Sequence, residues 1–235
     1  MAENRSIFQF KQFALAHGNP GLKITTEACL FGAWSAQFPQ QNTLDIGTGC
    51  GLLIGMLAQA HPNAHFTGIE IQTEVAKLAE ENASALPNFH IQIHANALAD
   101  YSGKHDFIIC NPPFFINHLK NMDASKNQAM HSDTLSPEEL AAGIQRLLSP
   151  EGKFSVLYPP VGMKQFEEAA LKMGLYLNQI CEVKHQSSHE TLRIMAQGSR
   201  HSSSLNKQII CIKERDGSYS AEFTARLKPY YLIFD

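Results

Sequence analysis

Short apolar runs alternate with longer stretches of helical period along this chain, and that alternation predicts an α/β fold built on a parallel sheet covered on both faces. The runs are Leu44-Asp45-Ile46, Phe66 to Ile69, Ile91-Gln92-Ile93-His94, Phe107 to Cys110 and Phe154 to Tyr158, with later strands near Leu175–Val183, Leu192–Ala196 and Gln208–Ile212. A helix is expected from Thr25 or Thr26 to about Phe38, with one of the threonines as its cap, and another from Leu52 to Ala60. The clearest helix start is Ser136-Pro137-Glu138-Glu139: serine caps, proline occupies the first turn, and Glu139 closes a capping box. Residues Phe115 to Leu135 form a long connection without apolar period, of the kind that in compact domains is functional or mobile. With neither repeat nor linker, residues 1–235 read as a single domain.

Chemistry concentrates at the ends of the apolar runs. Directly after Phe107 to Cys110 stands Asn111-Pro112-Pro113-Phe114. The Asn111 side-chain oxygen and the Pro112 carbonyl can accept both hydrogens of a planar amine, favouring the tetrahedral nitrogen whose lone pair is free to attack. Proline fixes its own φ and pushes the preceding residue toward the extended region, so these acceptors are stiff before substrate arrives. Phe114 adds a flat face for a base taken out of a stack. Upstream, Leu44-Asp45-Ile46-Gly47-Thr48-Gly49-Cys50-Gly51 is a strand running into a G-x-G-x-G turn. Its glycines let backbone approach a ligand, and one of them is expected to take a positive φ. The spacing is neither the dinucleotide fingerprint nor a phosphate loop. Glu70 closes the next strand, where a carboxylate can accept from both ribose hydroxyls of an adenosine held over the turn. Glycine turn, acidic strand end and N-P-P-F, in that order, point to a methyltransferase using S-adenosylmethionine.

The chain resembles class I amino-methyltransferases and, more narrowly, the bacterial family that methylates N6 of adenosine 37 in valine tRNA. The narrower likeness rests on Phe8-Gln9-Phe10-Lys11-Gln12-Phe13, on Leu22-Lys23-Ile24-Thr25-Thr26 followed by Leu30-Phe31-Gly32-Ala33-Trp34, and on Gly217-Ser218-Tyr219-Ser220-Ala221-Glu222-Phe223. The resemblance implies a Rossmann-like, mostly parallel seven-stranded sheet with one late strand antiparallel. It also implies that residues 1–38 cover the cofactor and face the substrate, with Lys23, Thr25 and Thr26 at the cofactor's methionine end. Asp45 is expected to reach the methionine amino group or to stiffen the turn, beside Gly47, Gly49, Gly51 and Glu70. Where relatives place an aspartate for the adenine amine, this chain has Asn96-Ala97: the asparagine oxygen still accepts and the Ala97 N–H can serve a ring nitrogen, with weaker binding expected. Relatives often carry arginine where Met130 stands, which removes one expected phosphate contact.

Composition changes this picture little. A chain of 235 residues buries a sizeable core unaided. Five cysteines without a C-x-x-C pair form neither a disulfide framework nor a zinc site, and with no membrane-spanning run and no signal-like N-terminus the expected compartment is the cytoplasm. Cys50 and Cys110 read as small buried groups, not nucleophiles. Eleven histidines, His118 and His131 among them, lack ligand spacing, so no metal is expected, and amine methylation does not require a strong base. No obligate protein partner is evident.

A net charge of −3 requires any tRNA-binding surface to be local. Lys184, Arg193, Arg200, Lys207 and Lys213 stand in a stretch whose one acid is Glu190, either as a phosphate platform or as solvated edge strands. Lys11, Lys120 and Lys126 are further candidates for phosphate. The same tetrapeptide chemistry also fits guanine N2 of ribosomal RNA or a release-factor glutamine, and a binding module without transfer is the non-catalytic alternative.

Overall fold

The computed structural model describes residues 6–18, 23–38, 41–86, 89–112 and 135–234. An N-terminal hairpin, β1 (Ser6–Gln9) and β2 (Ala14–His17), precedes α1 (Thr26–Ser35). Then follow β3 (Asn42–Ile46), α2 (Leu52–Ala60), β4 (His65–Glu70), α3 (Thr73–Ser84), β5 (His90–Ala95) and β6 (His105–Cys110). After the N-P-P-F segment come α4 (Pro137–Leu147), β7 (Leu148–Tyr158), α5 (Pro160–Lys172), β8 (Tyr176–Lys184), β9 (Thr191–Ser199), β10 (Asn206–Cys211) and α6 (Ala221–Leu227).

The central sheet has the order β10-β8-β9-β7-β6-β3-β4-β5. Every neighbouring pair is parallel except the two made by β9, which runs antiparallel between β7 and β8. The sheet therefore has eight strands, one more than the expected seven, because β10 adds itself in parallel to the outer edge of β8. Strand order reverses between β3 and β6, and the carboxyl ends of strands at such a reversal are where α/β sheets bind ligands.

Strands buried on both faces read as continuous apolar runs, because alternate side chains enter opposite cores. In β6, Phe107 and Ile109 join the core under α1, α2 and α6, while Ile108 and Cys110 join the one under α4 and α5. The first core also receives Phe10, Phe13 and Leu15 from the hairpin region, so the N-terminal segment packs as part of the sheet's covering layer. Local chemistry sets the helix starts: the Thr25 hydroxyl accepts from Ala28 N at 3.3 Å, and Ser136 with Glu139 forms the expected capping box. α1 stops at Ser35 and a single further turn carries the chain to Phe38.

Candidate active site

The turn after β3 is shaped by its glycines and held by its neighbours. Gly47, Gly49 and Gly51 all have positive φ (70°, 57° and 82°), where one was expected, and a Cβ at any of them would meet nothing within 4 Å. Their requirement is conformational, and the space above them is open to a ligand. The amides of Gly47 and Thr48 both donate to Ile69 O at the end of β4 (2.9 and 3.0 Å), Gly49 N donates to Glu70 Oε2 (3.2 Å) and Gly51 N to Thr48 O (2.9 Å). Glu70 is 8% exposed, and its second oxygen accepts from Gln72 N at 3.0 Å. Each carboxylate oxygen keeps a lone pair, so Glu70 both braces the turn and retains capacity for hydroxyl donors.

Asp45 lies beneath the turn, 1% exposed, with Oδ2 accepting from the Thr48 hydroxyl at 2.8 Å and Oδ1 buried without a hydrogen-bond partner among the described residues. Burial pushes its carboxyl up to about 7, the Thr48 bond opposes that rise, and the nearby Glu70 charge adds to it. A buried carboxylate oxygen with no partner among the described residues suits a cation or an N–H donor. One strand across, Asn111 follows the Ile46–Cys110 pair directly, and its Oδ1 is likewise buried with no partner among the described residues. Pro112 beside it is buried. Pro113, Phe114, His118, Lys120, Lys126, Met130 and His131 lie outside the described residues. Asn96, after β5, is tied by its N–H to Glu70 O (3.0 Å), which sets it and Ala97 on the same rim. Lys23 and Thr26 are exposed at the start of α1, with Thr25 as its cap.

Asp45, the glycine turn, Glu70, Asn96 and Asn111 thus come together at the carboxyl ends of adjacent strands. A strand-end carboxylate with acceptor capacity to spare, an open backbone turn, and a carboxylate oxygen and an amide oxygen that are buried without partners among the described residues suit an adenosine that carries an amino-acid tail, so the residues present fit S-adenosylmethionine. Burial raises the Cys50 thiol to about 11 and the Cys110 thiol well above its ordinary value, so neither is a thiolate at neutral pH. Among the described residues no group of three or more His, Cys, Asp or Glu is placed to hold a metal, and no helix is long and apolar enough to cross a membrane.

The basic residues do not assemble into one patch. The pairs Tyr158–Ile194 and Val183–Arg193 place Lys184 and Arg193 at the carboxyl end of the sheet, on the side of Asn111. Arg200 lies past the Lys153–Ser199 pair at the opposite end, where it donates to the carbonyls of Gln145 and Leu148 (3.0 Å for the latter) and caps α4. Lys207 pairs with Ile180 in mid-sheet on the exposed edge strand, and the Lys213 ammonium sits 3.4 Å over the Tyr219 ring. Lys11 faces the C-terminal segment: its N–H donates to Tyr230 O at 2.8 Å and its ammonium to Phe234 O.

Two side chains escape a motif search. Thr48 holds Asp45, and Asn82 of α3 is 6% exposed, with its amide donating to Ala16 O (2.9 Å) and Cys50 O (2.8 Å) and accepting from Ala16 N (3.0 Å). The available signal was an asparagine standing on the apolar stripe Val75, Leu78, Ala79 at the next helical position.

A family model described as the methyltransferase small domain matches residues 27–154. Proteins called tRNA1(Val) (adenine(37)-N6)-methyltransferase align along nearly the whole chain. That of Pseudoalteromonas translucida is 33% identical over 227 residues, 96% of this chain and 98% of that protein. That of Dyadobacter fermentans is 36% identical over 235 residues, 97% and 98% of the two. Among solved structures, one described as a predicted O-methyltransferase from Agrobacterium tumefaciens superposes with a TM-score of 0.63 at 15% identity, over 85% of this chain and 94% of that one. A methyltransferase from Pyrococcus furiosus gives 0.58 at 17%, over 82% and 91%. The structural likenesses concern the fold.

Proposed function

This chain belongs to the family of tRNA1(Val) (adenine(37)-N6)-methyltransferases, within the methyltransferase small domain family, and from that premise we propose that it methylates the exocyclic N6 of adenosine 37 in a valine tRNA with S-adenosylmethionine as donor. The observation that carries the reading is the buried Asn111 Oδ1, without a partner among the described residues, at the strand end beside the glycine turn. A buried acceptor without a partner costs free energy unless a ligand supplies the donor, and an amine N–H is such a donor.

Bound S-adenosylmethionine supplies an electrophilic methyl on a sulfonium. The residues proposed to hold it are Glu70 at the ribose hydroxyls, Asp45 at the methionine ammonium, and Asn96 with the Ala97 N–H at the adenine edge. Gly47, Gly49 and Gly51 admit it, and Lys23, Thr25 and Thr26 cover its carboxylate. Asn111 Oδ1 accepts one N6 hydrogen and the Pro112 carbonyl the other, which draws the nitrogen toward tetrahedral geometry and directs its lone pair outward. Both acceptors strengthen as positive charge develops on the nitrogen, so they stabilise the transition state more than the ground state. Once such a nitrogen had taken the methyl that the bound cofactor would supply, its acidified N–H proton would pass to solvent without a dedicated base. Pro113 and Phe114 complete the tetrapeptide, with Phe114 assigned to stack the extruded base.

For the tRNA backbone the reading selects Lys184 and Arg193, which flank the catalytic end of the sheet; an enzyme of this kind works in the cytoplasm with its RNA. The test is to incubate the protein with radiolabelled cofactor and unmodified bulk tRNA, digest, and identify the nucleoside. Label in N6-methyladenosine from valine tRNA is expected. Label confined to 2-methylguanosine in ribosomal RNA, or to a protein fraction, would overturn the substrate.

A further inference from the structure

The glycine turn has one tether that does not come from the strands. Its amides end on β4 and on Thr48, as described, but the Cys50 carbonyl, between the left-handed Gly49 and Gly51, accepts from the Asn82 side chain at 2.8 Å. The Cys50–Gly51 peptide is thereby held at both ends, its oxygen by Asn82 and its N–H by Thr48 O. The remaining capacity of the same amide goes to Ala16, whose N–H and C=O it pairs at 3.0 and 2.9 Å as a neighbouring strand would. Ala16 stands opposite Ile7 in the hairpin, so Asn82 occupies the outer edge of β2 and supplies a strand-like partner there. The next residue, His17, accepts from Ile24 N at 3.2 Å through Nδ1, which carries the connection on to the start of α1. Packing runs alongside: a Cβ on Gly55 of α2 would sit 3.0 Å from the Phe13 ring.

We propose that Asn82 is a positioning residue that couples the cofactor turn to the N-terminal hairpin, so that ligand seated on the turn tightens the hairpin and a docked hairpin preorganises the turn. The three bonds belong to one rigid planar group, so displacing the Cys50 carbonyl rotates the plane that holds Ala16. Coupling of this kind is reciprocal: a ligand that favours one arrangement of the turn must favour the same arrangement of the hairpin. The proposal rests on the reading that the turn receives the S-adenosyl group.

The test uses the intact wild-type chain, with S-adenosylhomocysteine as the probe and amide hydrogen exchange as the readout. Saturating probe is expected to slow exchange at Ala16 together with Gly49 and Gly51, while amides of α5 stay unchanged. Asn82→Asp, which keeps the acceptor and loses both donors, is expected to weaken the probe by more than about tenfold. It should also uncouple Ala16 from the turn, with kcat at saturating cofactor falling far less. Slowing at Gly49 and Gly51 with none at Ala16 overturns the coupling, and does so without any variant having to fold. Unchanged affinity in Asn82→Asp, with Ala16 exchanging freely, reduces Asn82 to a fastener of the hairpin and also overturns it. Failure of the wild-type chain to bind the probe at all would instead refute the reading of the turn.

Discussion

The two halves of the sheet present their polar groups by different means. In the half from β3 to β6, polar atoms at the carboxyl ends are buried, fixed by backbone geometry, and in Asp45 and Asn111 left with an acceptor facing no donor among the described residues. In the half from β8 to β10, charged side chains are partly or fully exposed, and those within the stretch Lys184 to Lys213 are spread over both ends of the strands. A small ligand of fixed shape calls for the first arrangement. A polyanion whose contacts are loose and screened by salt can be met by the second. Under the proposed function, the contrast assigns the chemical step to a few preorganised atoms and RNA affinity to several replaceable ones.

The largest effect that bears on this contrast is expected from Asn111→Ala. It should lower kcat by well over tenfold, each ~1.4 kcal/mol of lost stabilisation being a factor of ten, while calorimetry gives a dissociation constant for S-adenosylhomocysteine close to the parent's. A variant retaining more than about a tenth of the parent's kcat removes Asn111 from the reacting nitrogen.

Next comes Glu70→Ala. It removes the proposed ribose acceptor and also the brace on Gly49 N, and charge-assisted bonds contribute about 1.5–3 kcal/mol each, so cofactor affinity should drop by at least about tenfold. Titration calorimetry on the folded variant checks this, and an unchanged constant takes Glu70 out of the site.

A smaller effect is expected from pH. Asp45 has its folded-state pKa raised to about 7, so the folded chain keeps a proton that the unfolded chain loses near pH 4. Its contribution to stability accordingly declines as pH rises between those values and is constant above about 7. A cationic ligand group prefers the carboxylate, so cofactor affinity should rise toward pH 7 and then level. Binding at pH 6 should release a proton, measurable as a dependence of binding enthalpy on buffer ionisation. Asp45→Asn should abolish that dependence, and its persistence in the variant assigns the proton to another group.

The smallest effects separate the two ends of β9. Arg193→Ala should reduce the slope of log tRNA affinity against log salt by about 0.7–0.9, while Arg200→Ala leaves the slope alone and lowers Tm by a few degrees through loss of the α4 cap. Equal slopes for Arg193→Ala and the parent would move the phosphate contact elsewhere, and a reduced slope in Arg200→Ala would return it to the far end.

Those two arginines also show where sequence reading stops. They are close in sequence and share a basic stretch, yet along one extended strand they sit roughly 23 Å apart at about 3.3 Å per residue, one at the cleft and one on a helix end. Charge counting in a window cannot see that. By contrast the glycine turn, Glu70 and Asn111 were legible because each stands at or directly after the end of an apolar run, so that parallel strands alone bring them to one edge. The run Gln208–Ile212 was legible as a strand but its place at the sheet's edge was not, and neither the N-terminal hairpin nor Asn82 was legible. Their partners are distant in sequence, and a buried asparagine leaves no periodic mark beyond its place on an apolar stripe.

The contact between Lys11 and Phe234 spans 223 residues and has a consequence for how the protein is made. On a ribosome adding about 5–20 residues per second, the hairpin would wait roughly 10–45 s for Phe234 to be synthesised. Partial shelter is available sooner, since the α2 glycine that receives Phe13 and the α3 asparagine that clasps Ala16 are both translated within the first 82 residues. Vectorial synthesis therefore closes this N-terminal element in two stages. The tRNA-modifying enzyme we propose would have its cofactor turn braced early, and its outer aromatic seam, where Phe8 and Phe10 meet Tyr231, would be sealed only after Tyr231 is made.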